Sequence, residues 1–161
     1  MLNNMKAPKT RIVVVGVGNL LLKDEGIGVH VARALQQMDI PQATEIIDGG
    51  TSPDLPYYLN GADKLVIIDA VKGGSKPGTV YRFCPGDVNI ESEEMVSIHE
   101  LGLEQSLKIM GLMGRKPREI VIIGIEPGEI DWGTELSAEL QQKIPEIVNI
   151  VLKEINFQAD G

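Results

Sequence analysis

Three acids in this 161-residue chain stand where an acid can do chemistry: Glu25, Asp48 and Asp69. Asp69 ends the apolar run Leu65–Ile68, and Asp48 ends the shorter run Glu45–Ile47. Glu25 opens a helical pattern just after a glycine turn. In a parallel sheet the carboxyl ends of the strands lie on one rim, so acids placed there can converge at a ligand site. His99 is one of two histidines and lies near the start of another helical pattern, whose apolar face lies elsewhere. The other, His30, sits inside the first helical pattern beside its apolar stripe and reads as structural or surface. Glu25, Asp69 and His99 together offer two carboxylates and one imidazole. Two carboxylates in one cleft raise each other's pKa, and a divalent cation relieves the repulsion. Mixed oxygen and nitrogen donors suit Ni, Zn or Mn, and three protein ligands leave positions for water or substrate. The simpler reading makes Asp24 and Glu25 an N-cap and a first-turn acid, and Asp69 a cap on the next loop.

The first of these residues depends on the run from Arg11 to Leu35. Ile12–Val15 is apolar and β-branched, as in a strand buried on both faces. Gly16 and Gly18 break it. Leu20–Leu22 and the acidic pair Asp24 and Glu25 follow, and Ile27, Val31, Ala34, Leu35 and Met38 recur at helical spacing from about Glu25. Strand, glycine turn and helix also begin a dinucleotide fold. Here the third fingerprint glycine is replaced by Leu21, and Asp48 comes about 30 residues on instead of about 20. A nucleotide-binding module is therefore the weaker reading.

Further along, Ser52-Pro53-Asp54 reads as the start of a short helix. Residues 73–78 form a turn cluster, and Thr79–Phe83 suits an antiparallel edge strand. A polar loop over 88–96 precedes a helix from Ser97 or His99 to Met113, with Leu103, Leu107 and Met110 on one face. Glu119–Ile125 is the last central strand. After a loop over 127–133, Ser137 caps a helix through Lys153, in which Pro145 should kink the chain or start a new turn. Strands alternating with helices predict a single-domain three-layer α/β/α sandwich. Its mostly parallel twisted sheet has about five strands and one antiparallel edge strand. Residues 1–10 read as a flexible leader and 11–157 as the domain.

The net charge of −8 argues against charge-driven binding to nucleic acid. No apolar run is long enough to span a bilayer, and no signal peptide is evident, so a cytoplasmic setting is expected. The lone cysteine, Cys84, allows neither an intrachain disulfide nor a thiolate cluster, and reads as a small buried hydrophobe. There is no G-x-S-x-G elbow and no paired-histidine zinc helix.

Five stretches, GVGNLLLKDEGIGVHVARAL, EIIDGGTSP, KLVIIDAV, SIHELGL and GIEPGEIDWGTELS, resemble in order the motifs of the nickel–iron hydrogenase maturation endopeptidases. The resemblance covers nearly the whole chain. It implies an endopeptidase that removes the C-terminal extension of the [NiFe]-hydrogenase large-subunit precursor after nickel insertion. It also implies that Glu25, Asp69 and His99 are catalytic and ligate the metal, and that Asp48, Gly49 and Gly50 lie near the substrate. Nickel would arrive on the substrate, with other divalent ions able to occupy the site in vitro. A monomer is expected, with the precursor as partner, no nucleic acid and no membrane insertion. A non-catalytic nickel-binding chaperone on the same precursor is the alternative.

Overall fold

The computed structural model describes residues 10–41, 43–51, 61–85 and 103–155. Five strands form one sheet: β1 (Ile12–Gly16), β2 (Thr44–Asp48), β3 (Lys64–Ala70), β4 (Val80–Phe83) and β5 (Glu119–Ile125). Their order across the sheet is β2-β1-β3-β5-β4. β1, β2, β3 and β5 run parallel, and β4 is an antiparallel edge strand on β5, as its alternating sequence predicts. The helices are α1 (Ile27–Gln36), α2 (Leu103–Leu112) and α3 (Ala138–Glu154). The chain leaves β1 toward β2 on one side and reaches β3 on the other. The point where strand order reverses therefore lies between β1 and β3, where ligands bind in folds of this kind.

The central strands are apolar on both sides because both faces are covered. On one face Ile12, Val14, Val66, Ile68, Val121 and Ile123 pack with Ile27, Val31 and Leu35 of α1 and Leu140, Ile147 and Val151 of α3. On the other, Val13, Val15, Leu65, Ile67, Ile120 and Ile122 pack with Met110 of α2. This is the three-layer sandwich expected. Cys84 is half-buried against the first of these clusters.

The element boundaries depart from the sequence pattern in three places. A 3-10 turn, Lys23–Gly26, comes before α1, and neither it nor α1 has a side-chain cap, so Asp24 is not an N-cap. α1 ends at Gln36, which leaves Met38 41% exposed and outside the helical stripe. Pro145 lies within α3, which runs as one helix from Ala138 to Glu154. The expected short helix at Ser52 and the cap at Ser97 lie outside the described residues.

Candidate active site

Four parallel strands deliver their carboxyl ends to one rim, and glycines let the chain close tightly over it. Gly16, the last residue of β1, pairs in register with Asp48 on β2 and Ile68 on β3. Beyond it, the Val17 N–H donates to the Ile68 carbonyl at 2.8 Å, and the Gly18 N–H donates to the Gly50 carbonyl at 2.9 Å. The Gly49 N–H in turn donates to the Gly16 carbonyl at 2.8 Å. Gly28, in the first turn of α1, rests directly on this backbone. A Cβ there would lie 2.1 Å from the Ile68 oxygen and 2.3 Å from the Val17 oxygen. Gly18 has the same role under the 3-10 turn, since a Cβ on it would lie 2.1 Å from the Glu25 carbonyl oxygen.

These contacts place Glu25 and Asp69 at the same end of β1 and β3. Glu25 sits above Gly18, and Asp69 directly follows the residue whose carbonyl receives Val17. Asp69 is 6% exposed, and its Oδ1 accepts the Ala70 N–H at 2.8 Å. By the two-residue alternation of a strand it follows Leu65 and Ile67, onto the face covered by α2. Glu25 is half-buried. His99, the third expected ligand, lies outside the described residues. Among those that are described, no three His, Cys, Asp or Glu side chains gather as a metal-holding group.

Asp48, Gly49 and Gly50 form a turn beside the glycine loop. The Asp48 carboxylate accepts the Gly50 N–H at 3.3 Å and pairs with the Arg33 guanidinium of α1 at 3.0 Å. Gly50 has φ +60°, a left-handed conformation that glycine adopts without strain. Asp48 thus shapes the backbone of this turn as well as lining the rim.

Asp24 has a role that its sequence position does not reveal. It is fully buried, and its two oxygens accept four hydrogen bonds. Oδ2 takes the N–H groups of Gly128 and Glu129, at 2.9 and 2.7 Å, and the Ser137 hydroxyl at 2.8 Å. Oδ1 takes the Ser137 N–H at 2.7 Å. Burial pushes its pKa up, but these donors outweigh burial and hold it below the ordinary carboxylate value. The Asp24 N–H donates back to the Glu129 carbonyl, and Leu22 and Gly133 form a parallel bridge. The loop over 128–137 is therefore locked onto the loop that carries Glu25. Ser137 also accepts the Leu140 N–H at 3.4 Å and so caps α3, as its sequence position predicts.

Glu126, at the end of β5, does a similar job on the other side of Asp69. It is 5% exposed and accepts the N–H groups of Gly73 and Ser75 and the Tyr81 hydroxyl. It holds the 71–78 loop against β4. Sequence reading missed Asp24 and Glu126 as anchors, because their donors are far away in the chain. A carboxylate just beyond a buried strand, as Glu126 is, was the available signal. His30 is half-buried on α1, with no hydrogen-bond partner at Nε2. Burial, then repulsion from Arg33, holds its pKa down despite the attraction of Asp24. This agrees with a structural place for it.

The family model of the HycI hydrogenase maturation proteases matches residues 29–154. The chain belongs to the hydrogenase maturation protease family. Its class of activity is therefore that of a peptidase, as the sequence motifs imply. It is 34% identical to the hydrogenase 2 maturation protease of Escherichia coli over 145 residues, 88% of either chain. It is 31% identical to the hydrogenase expression/formation protein HupD of Rhizobium leguminosarum bv. viciae, over 91% of this chain and 74% of that one. Its fold matches the hydrogenase maturating endopeptidase HybD from E. coli with a TM-score of 0.78, at 32% identity, over 91% of this chain and 92% of that one.

Proposed function

We propose that this maturation protease removes the C-terminal extension of a [NiFe]-hydrogenase large-subunit precursor once nickel has been inserted. It recognises the nickel on the substrate through Glu25, Asp69 and His99. The observation that carries this reading is Asp69, an acid 6% exposed at the end of an apolar strand, beside the glycine loop that presents Glu25. Asp69 stands on the face covered by α2, and His99 comes four residues before α2 in the sequence. Two carboxylates and an imidazole suit nickel's borderline preference for nitrogen and oxygen donors.

In this reading the protein positions and the substrate brings the metal. Glu25 is fixed by the 3-10 turn, which Asp24 anchors from below. Asp69 is fixed by its strand. The turn over 48–50 lies along the same rim and guides the precursor's C-terminal segment across it. Ordered ligands matter because a scissile bond held in reacting geometry is worth many orders of magnitude in rate. The working species is a cytoplasmic monomer. Among the described residues no helix is long and apolar enough to cross a membrane.

The test compares nickel-loaded and nickel-free precursor at equal enzyme concentration, read by electrophoretic mobility and by mass. The loaded form should be shortened by one defined segment, and the nickel-free form and unrelated unfolded proteins should survive. Asp69→Asn and His99→Ala should abolish the shortening while the protein stays folded by circular dichroism. Equal cleavage of both forms in a chelator would sink metal recognition and point to an acid pair of Asp48 and Asp69. Binding without shortening would show a chaperone instead.

A further inference from the structure

The loop that Asp24 locks in place also displays large apolar side chains. Trp132 is 77% exposed, Leu21 55% and Ile130 38%. The Gly133 N–H donates to the Leu21 carbonyl at 2.9 Å and the Lys23 N–H donates to the Gly133 carbonyl at 2.9 Å, which brings Trp132, the residue before Gly133, close to Leu21, and Ile130 stands two residues earlier on the same loop. The patch adjoins the acid rim, since Leu21 and Glu25 share one loop. It is held rigidly, because Asp24 ties residues 128, 129 and 137 to that same loop. Exposed apolar side chains grouped on a fixed loop mark an interaction surface, and fixing them beforehand lowers the entropy cost of binding.

The charge around the patch selects its occupant. Within residues 20–26 and 128–136 four carboxylates reach the surface, Glu25, Glu129, Asp131 and Glu135, against one ammonium, Lys23, the fifth acid, Asp24, being fully buried. Lys23 pairs with Glu129 at 2.9 Å. Asp131 and Glu135 are exposed, and among the described residues neither is in an ion pair. An anionic bilayer would be repelled by these acids. So would a second copy of a chain whose net charge is −8.

We propose that Leu21, Ile130 and Trp132 form a docking surface for the substrate protein, which seats there an apolar segment flanked by lysine or arginine. Such a segment would bury Trp132, and its cations would meet Asp131 and Glu135. Docking beside Glu25 would carry the precursor's tail across the rim. This surface rests on the reading of the precursor as substrate.

Trp132 is the sole tryptophan, so growth on 5-fluorotryptophan places one fluorine reporter in the patch. The labelled enzyme is titrated with unlabelled, nickel-loaded precursor and observed by fluorine NMR, while shortening of the precursor is followed on gels. The Trp132 resonance should move and lose its sensitivity to exchange of H2O for D2O. Trp132→Ala and the pair Asp131→Lys, Glu135→Lys should each raise KM at least about tenfold and leave kcat within about twofold, as loss of an interface anchor does. Trp132→Phe should recover most of the loss. Leu112→Ser, at a 90% exposed site on the last residue of α2, should change nothing. A precursor that is shortened while the resonance stays fixed would overturn the docking surface and leave the cleavage reading intact. A resonance that moves without shortening would keep the surface and remove the cleavage reading. The surface also falls if the resonance moves only with phosphatidylglycerol vesicles, only with rising enzyme concentration, or with nothing.

Discussion

Asp24 and Glu25 are adjacent in sequence and opposite in role. Glu25 is half-buried at the rim, whereas Asp24 is wholly buried and accepts four hydrogen bonds from residues more than a hundred positions away. Asp24→Ala would strand those donors in the interior. It should cost about 3–5 kcal/mol, the range for removing one member of a buried charged network, measured by urea denaturation. The folded pKa of Asp24 is depressed below its ordinary 3.8. Its contribution is therefore complete above that value and is lost as pH falls through the folded value. Asp24→Asn should flatten that part of the acid stability profile. An unchanged profile would show that Asp24 does not anchor the loop.

Elements meet at the rim through missing side chains. α1 can start directly above the ends of β1 and β3 because Gly28 offers no Cβ to the Ile68 and Val17 carbonyls. Those neighbours are backbone atoms, Ile68 within β3 and Val17 hydrogen-bonded to it just beyond β1, so they cannot yield as a flexible side chain would. Gly28→Ala should therefore lift the N-terminus of α1 and cost at least about 3 kcal/mol, the upper range for overpacking, seen as a lower denaturation midpoint. The same shift moves Glu25 away from Asp69, so processing should fall further than stability alone accounts for. A Gly28→Ala protein with wild-type stability and turnover would show that the close contact is not needed.

Across the whole molecule the sheet is fastened at both ends, with one set of charges at the rim and another opposite it. At the opposite end Lys64, 7% exposed at the start of β3, reaches the Glu154 carboxylate at 3.0 Å and the Glu154 carbonyl at 2.7 Å. Arg82 of β4 grips the same carboxylate with two hydrogen bonds, at 2.7 and 2.9 Å. These bonds tie the end of α3 to the centre and the edge of the sheet. The Arg82 hydrogen bond, with Lys64 behind it, overcomes burial and lowers the pKa of Glu154 from 4.5 to about 2. Because the folded value is the lower one, this stabilisation is present above 4.5 and is lost as pH falls from there toward about 2. Glu154→Gln should cost on the order of 2–3 kcal/mol at neutral pH and only about a few tenths of a kcal/mol near pH 2. Denaturation curves at both pH values check this, and a cost that persists undiminished in acid would refute the ion pair as its source.

The sequence alone determined the features that depend on neighbours along the chain. Continuous β-branched runs specify strands covered on both faces, so β1, β3 and β5 were legible almost to the residue. The alternation in Thr79–Phe83 marked the antiparallel edge, and Ser137 marked the start of α3. The five motifs, read in order, identified the family to which the chain belongs. Only the tertiary structure decided what depends on distant partners. It turned Asp24 from a helix cap into an anchor for the 128–137 loop, and it set Arg33 against Asp48. It also placed Trp132 beside Leu21, an apolar pair 111 positions apart with no local pattern to join them. The physical reason is the same in each case. Helix and strand periodicity are written by residues a few positions apart, whereas a buried carboxylate takes its role from whichever donors the fold brings to it.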